Sequence, residues 1–170
     1  MHGDGPAGRY RCTVAFEDVG VGDPRAHALL TEYFAYRASS FPAGREYRTA
    51  FPAEPDFAPP RGVFVLALDA AGTPVGCGGV RLLGVGQDGG IVFEIKHLWL
   101  QPHTRGQGLG RAMLEHLEQR ALGFGASMVV LDTNASLEAA NALYRAAGYF
   151  EIDAYNDNPN ATNWYAKRLR

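Results

Sequence analysis

The sequence is poor in cysteine, in net charge and in long apolar runs. Cys12 and Cys77 are the two cysteines among 170 residues. They fit neither a C-x-x-C redox pattern nor a zinc-ligand spacing, so we expect both to be small core residues. The formal net charge of −2 gives no basic field, which argues against a nucleic-acid partner.

Membrane and metal signals are absent as well. No apolar run reaches the roughly 18 residues needed to span a bilayer, and the polar start lacks a signal-peptide core. His97, His103 and His116 form no recognisable ligand set, and no H-E-x-x-H occurs, so no metal is predicted. We expect a cytoplasmic protein without a membrane partner, with one domain over residues 1–170 and a flexible segment at 1–9.

Hydrophobic periodicity predicts a mixture of strands and helices without repeats. Helices are predicted at residues 25–39, at 108–122 and from an N-cap at Ser136 to 147. Strands are predicted at residues 11–18, 62–68, 75–83, 91–100, 126–132, 149–155 and 162–169. The apolar strand 126–132 follows a helix and is typical of a parallel crossover from strand 91–100. This order indicates an α+β fold with a single, mostly antiparallel, mixed sheet.

Residues 40–61 form a long connection that contains five prolines among several aromatic side chains. Regular structure is not expected there, except around residues 44–49. The aromatic residues argue against disorder, so we expect this segment to fold over a substrate pocket.

A glycine-rich turn lies between strand 91–100 and the helix that follows. Its residues are Arg105, Gly106, Gln107, Gly108, Leu109 and Gly110. A helix start presents unpartnered N–H groups and partial positive charge, so this turn can bind a diphosphate through its main chain. A dinucleotide fingerprint would need glycine where Arg111 or Met113 stands, and no GxxxxGK[ST] pattern is present.

The pattern R-x-x-G-x-G between a strand and a helix resembles the acetyl-CoA corner of the GCN5-related N-acetyltransferase (GNAT) family. The resemblance covers residues 75–149, whereas the first 60 residues match in strand-then-helix order alone. It implies a twisted sheet with a central, splayed parallel pair flanked by helices, and acetyl-CoA as cosubstrate. It also implies a bulge in strand 91–100, with main-chain binding of the pantetheine by Leu98, Trp99 and Leu100.

The same resemblance assigns roles downstream of the turn. Tyr144 matches the tyrosine that protonates the departing CoA thiolate, and Asn141 is three residues away on the same helical face. Asn134 matches a position where the family often has a polar group near the cofactor, although it could equally cap a turn.

The base that neutralises an acceptor ammonium is left open by the sequence. Strict alternation would put Glu94, Lys96, Leu98 and Leu100 on one face and Ile95, His97 and Trp99 on the other, unless a bulge intervenes. Glu94 is the best carboxylate for this role, directly or through water, although an ion pair with Lys96 would explain it as well. His97 is the competing base.

The predicted function is transfer of an acetyl group from acetyl-CoA to a small-molecule or protein amine within a ternary complex. A main-chain N–H near Leu98 or Trp99 would stabilise the oxyanion. Two alternatives remain: an acyl-CoA-binding sensor without turnover, and a transferase of bulkier acyl groups, with room beside Gly76, Gly78 and Gly79. The acceptor pocket is expected between helix 25–39, segment 40–61 and the last hairpin, and a homodimer is compatible with the sequence.

Overall fold

The computed structural model describes residues 13–170, so Cys12 and the segment 1–9 lie outside the described part. All predicted helices and strands are present, with ends that differ by a few residues. The helices are α1 (Pro24–Ser39), a 3-10 turn (Glu54–Phe57), a second 3-10 turn (Pro102–Thr104), α2 (Leu109–Gly123) and α3 (Glu138–Ala146). The strands are β1 (Ala15–Val19), β2 (Gly62–Leu68), β3 (Pro74–Val85), β4 (Ile91–Leu100), β5 (Ala126–Thr133), β6 (Phe150–Ile152) and β7 (Asn163–Arg168).

The strands form one seven-stranded sheet in the order β1-β2-β3-β4-β5-β7-β6. The pair β4–β5 is parallel, and every other neighbouring pair is antiparallel. Parallel pairing runs from Ile91 opposite Ala126 to Glu94 opposite Val130, and the two strands then separate. The fold class and the splayed central pair are therefore confirmed.

A bulge in β4 changes the predicted assignment of its faces. Cys77 of β3 is opposite Trp99 and Gly79 is opposite Lys96, so His97 and Leu98 share one position on the partner strand. His97 takes a left-handed conformation with φ of 58°, which breaks the alternation. Consequently Leu98 packs with the helix α2 face, whereas His97 contacts rings on the helix α1 face.

The core consists of two hydrophobic clusters on opposite faces of the sheet. One lies beneath α2 and α3 and includes Phe93, Met113 and Leu117. The other joins the sheet to α1 and the 3-10 turn. Cys77 belongs to this second cluster and is a free, fully buried thiol, as the sequence predicted. Within the described chain, no helix is both long enough and apolar enough to cross a bilayer.

The predicted N-cap at Ser136 is wrong. Helix α3 begins at Glu138 after Leu137, and no side chain of residues 13–170 caps it. Two residues before Ser136, the side-chain oxygen of Asn134 accepts the N–H of Ser136 at 3.0 Å and closes an Asx turn. Ser136 thus belongs to this turn, and the helix begins two residues later.

The long connection between α1 and β2 carries one 3-10 turn and no helix or strand at residues 44–49. Its aromatic residues anchor it on α1. Phe51 meets Phe34 edge-on with 4.8 Å between ring centroids, and Tyr47 contacts Phe34 at 6.4 Å. Apolar contact replaces regular backbone pairing as the means of holding this segment in place.

Candidate functional site

A cavity of about 540 Å³ opens where β4 and β5 separate. Its wall combines helix α1, the connection between α1 and β2, the bulge of β4, the end of β5, the start of α3 and the segment between β6 and β7. Parallel strands that part leave main-chain groups and side chains facing a crevice, which is where open α/β sheets bind ligands.

The bulge provides main-chain groups on the side of β4 that faces this crevice. Residues 95–100 pair with β3 on one side and have no β5 partner on the other. Leu98 lines the cavity. Trp99 is buried toward α1, where its indole N–H donates to Glu32 at 3.3 Å, so its side chain points away from the crevice.

The glycine-rich turn has the conformation that a ligand-binding helix start requires. Gly106 and Gly108 have φ of 77° and 80°, a region that glycine adopts without strain. Gly108 precedes α2, no described side chain caps the helix, and its first turn contains no acidic residue. The Arg105 guanidinium stacks over Tyr36 and Trp99 at 5.0 and 5.3 Å, which leaves the N–H groups as the turn's ligand-facing feature.

Tyr144 on α3 is 7% exposed and lines the cavity. Its hydroxyl makes no hydrogen bond within the described chain, whereas its ring packs between those of Tyr149 and Tyr165. Burial raises the pKa of Tyr144 to about 12, although the positive charge of Arg37 opposes the shift. The phenol therefore retains its proton at working pH and can donate it into the cavity.

Asn141 and Asn134, which the sequence assigned to the cofactor, are bonded within the protein. The Asn141 amide donates to the carbonyl oxygens of Asn134 and Leu137 at 2.9 and 2.8 Å, and its oxygen accepts from Tyr165 at 2.9 Å. Asn134 closes the Asx turn and donates to the Asn160 carbonyl at 3.1 Å. These contacts fix α3 against β5 and β7, and they occupy both amides.

Glu94 is 1% exposed and lies behind the cavity wall. Arg81 donates twice to one carboxylate oxygen at 2.7 and 2.9 Å, and the Tyr155 hydroxyl donates to the other at 2.7 Å. The suggested pairing of Glu94 with Lys96 is wrong, because Arg81 on the adjacent strand is directly opposite in the register. Direct contact between Glu94 and an acceptor would require one of these donors to move.

Lys96 instead forms an ion pair with Asp132 at 3.2 Å, across the gap between the separating strands. Burial opposes the charge of Asp132, yet Lys96 and the amides of Asn156 and Asn158 hold its pKa below the usual value. His97 lies beside this pair. Burial lowers the pKa of His97 to about 3, and the charges of Lys96 and Arg81 act in the same direction. His97 is therefore neutral at working pH.

The glycines of β3 do not open a wider acyl pocket. A β-carbon at Gly76 would meet the Leu100 side chain at 2.4 Å, one at Gly78 would meet Leu117 at 3.0 Å, and one at Gly79 would meet Phe57 at 2.6 Å. Their neighbours already fill the space, so these residues permit close packing.

Sequence reasoning missed four groups that shape the site: Arg37, Arg81, Asp132 and Tyr155. The position of Asp132 at the carboxyl end of a parallel strand was the one local signal, because ligands collect at that edge. The other three are defined by partners far away in sequence. Among residues 13–170, no group of three histidine, cysteine or acidic residues is arranged to hold a metal ion.

Comparison with known proteins gives a consistent result. A family profile described as "Acetyltransferase (GNAT) family" matches residues 24–149. An uncharacterized N-acetyltransferase of Schizosaccharomyces pombe is 34% identical over 61% of this chain, and the match spans 61% of that relative's own length, less than two thirds.

Solved structures share the architecture. An acetyltransferase from Streptococcus agalactiae superposes with a TM-score of 0.74 at 20% identity, covering 92% of this chain and 98% of that one. A GNAT family acetyltransferase from Elizabethkingia anophelis, solved with acetyl-CoA bound, gives 0.61 at 16% identity, with coverage of 92% and 98%. At these identities the likeness concerns the fold.

Proposed function

The chain belongs to the GNAT acetyltransferase family, and from that premise we propose that it transfers the acetyl group of acetyl-CoA to a primary amine. The observation that carries the proposal is the cavity at the splayed β4–β5 pair, because both the bulge of β4 and Tyr144 line it.

The residues present fit acetyl-CoA. A helix start that no described side chain caps, after two left-handed glycines, suits a diphosphate. The main-chain groups of residues 95–100 on the side without a β5 partner suit an amide-containing arm. The cosubstrate would supply an acetyl thioester. Gly106, Gln107, Gly108, Leu109 and Gly110 would hold its diphosphate, with Arg105 stacked beneath the turn. Leu98, Trp99 and Leu100 would pair with its arm through the main chain, while Asn134 and Asn141 would contribute by fixing α3.

Three groups of this chain would assist direct attack by the amine. A main-chain N–H at Leu98 or Trp99 donates to the carbonyl oxygen of the thioester, where negative charge develops. Tyr144 donates its retained proton to the departing sulfur. Glu94 accepts the ammonium proton through water, since its oxygens already accept from Arg81 and Tyr155. The low pKa of His97 makes that residue a poor proton acceptor at working pH.

The test is Tyr144→Phe. We expect turnover to fall by about 10²-fold, a typical contribution of one proton-transfer group. The affinity for CoA should stay within a few-fold, because the ring packing is retained. Acetyl-CoA consumption with a panel of amines gives turnover, and calorimetry with CoA gives affinity.

Tyr149→Phe is the matched control, because its hydroxyl is bonded to Glu118 at 2.9 Å on the far side of the same ring cluster. This variant should lose stability and keep its turnover. Equal turnover of Tyr144→Phe and the parent protein would remove Tyr144 from the mechanism. CoA binding without turnover of any amine would favour the sensor.

A further inference from the structure

Arg37 is a buried cation in the cavity wall. It is 8% exposed and lies near the end of α1, where its guanidinium is 6.0 Å from the Tyr33 ring centroid and 5.2 Å from that of Tyr47. Among residues 13–170, no carboxylate lies within ion-pair distance of it and no hydrogen bond to its side chain occurs.

The other charges in the wall are either paired or exposed. Lys96 is paired with Asp132, and Arg81 with Glu94 and, more loosely, with Asp56. Arg48 and Asp157 are exposed to solvent. Arg37 is thus a buried cation in this wall, and residues 13–170 provide no counter-ion for it.

A buried guanidinium without an anion is costly, and two aromatic faces compensate for that cost in part. The two rings also orient the planar group, so its N–H donors are held ready for a ligand. A carboxylate matches this fork through two parallel hydrogen bonds. The α1 side of the cavity therefore presents a buried positive charge that an anionic group of a ligand can pair with.

We propose that the amine acceptor also carries a carboxylate, and that Arg37 binds this carboxylate. The inference rests on the proposed function and names the acceptor class of the same cavity. Arg37 and Tyr144 line one cavity. The acceptor would therefore be a molecule small enough to place its carboxylate and its reacting nitrogen in that cavity together, as an amino acid does. Phe34, Tyr47 and Phe51 in the same wall favour an apolar side chain.

Pairs of compounds that differ by the carboxylate test the proposal. Phenylalanine is compared with phenethylamine and phenylalaninamide, and leucine with isopentylamine. Binding is measured by calorimetry on the CoA-loaded protein, and kcat/KM is measured with acetyl-CoA. We expect the carboxylate to improve binding and kcat/KM by at least about 10-fold in one pair or more, the size of a buried charged contact.

Arg37→Met should abolish this preference, while phenethylamine binding and the affinity for CoA change by less than about three-fold. Arg37→Lys keeps the charge without the fork and should restore part of the preference. Arg48→Met, on the exposed rim of the same wall, is the matched control and should keep it.

Absence of a carboxylate preference in every pair, or its persistence in Arg37→Met, would overturn the proposal. Phosphoethanolamine preferred over ethanolamine, with no preference in the carboxylate pairs, would overturn it in favour of a phosphate ligand. If CoA and phenylalanine bind together without acetyl transfer, the proposed function fails, and the calorimetric effect of Arg37→Met still decides the carboxylate site.

Discussion

At the scale of single residues, burial sets the protonation states of two groups in the site. Tyr144 keeps its proton because burial raises its pKa to about 12, and His97 stays neutral because burial lowers its pKa to about 3. Neither residue changes charge near neutral pH. The groups left to receive a proton are the carboxylates of Glu94 and Asp132, which form ion pairs with Arg81 and Lys96.

Glu94→Gln separates a proton-accepting role from a structural one. We expect kcat/KM to fall by about 10²-fold at pH 7, where an alkyl amine is almost entirely protonated. The defect should shrink by about 10-fold or more toward pH 9.5, because more of the amine is then neutral without help. Rate profiles between pH 6 and 10 give the measurement.

Glu118→Gln is the control for this change. Glu118 is also a buried glutamate that accepts from a tyrosine and a cation, Tyr149 and Lys167, but it lies away from the cavity. Its substitution should lower stability without a pH-dependent rate defect. A defect of Glu94→Gln that is the same at every pH would mean that Glu94 acts by positioning Arg81 and Tyr155.

At the scale of elements, the start of α2 depends on backbone conformations that side chains disfavour. Gly108 has φ of 80°, and a β-carbon there would meet no atom of residues 13–170 within 4 Å. Any other residue at this position would therefore be destabilised by backbone strain and not by crowding. The exposed N–H groups of the turn keep their direction only while that conformation holds.

Gly108→Ala should lower the free energy of unfolding by about 1–2 kcal/mol and weaken CoA binding by about 10-fold or more. Denaturant unfolding and calorimetry measure the two effects.

Gly123→Ala is the control. Gly123 lies in the last turn of the same helix, has open space around it and has no positive φ. This variant should leave CoA binding unchanged and raise stability by up to about 1 kcal/mol. Unaltered CoA affinity in Gly108→Ala would exclude the turn as the diphosphate site.

At the scale of the whole molecule, the cosubstrate would bridge the two strands where the sheet is open. Any ligand that binds the folded state alone stabilises it, by about 2.7 kcal/mol at 100 times its Kd. CoA at that concentration should therefore raise the Tm by about 5–10 °C for a chain of this size. Thermal unfolding followed by circular dichroism gives the shift.

NADH and ATP at the same concentration are the controls, because the glycine spacing fits neither a dinucleotide fingerprint nor a P-loop. They should shift the Tm by about 1 °C or less. An equal shift with NADH would contradict the assignment of the glycine-rich turn to a CoA diphosphate.

The order of strands and helices was predictable because hydrophobic periodicity, and the glycines that mark turns between elements, are local properties of the chain. Strand β4 and helix α2 were predicted almost to the residue. Side-chain partners were not, because the β4 bulge turns His97 to the α1 face, and the pairing of β3 with β4 places Arg81 opposite Glu94. The N-cap predicted at Ser136 was wrong, because Ser136 lies in the Asx turn that Asn134 closes and α3 begins two residues later.

The sequence by itself determined the family, the parallel crossover and the glycine-rich turn, since each depends on residues adjacent in the chain. The tertiary structure alone decided which charges meet. Arg81 and Glu94 lie on different strands, as do Lys96 and Asp132, and their pairing depends on strand register and on where the sheet opens. Arg37 on α1 has no ion-pair partner among residues 13–170. A buried charge acquires its role from the partners that packing provides, and packing brings together residues that are distant in the sequence.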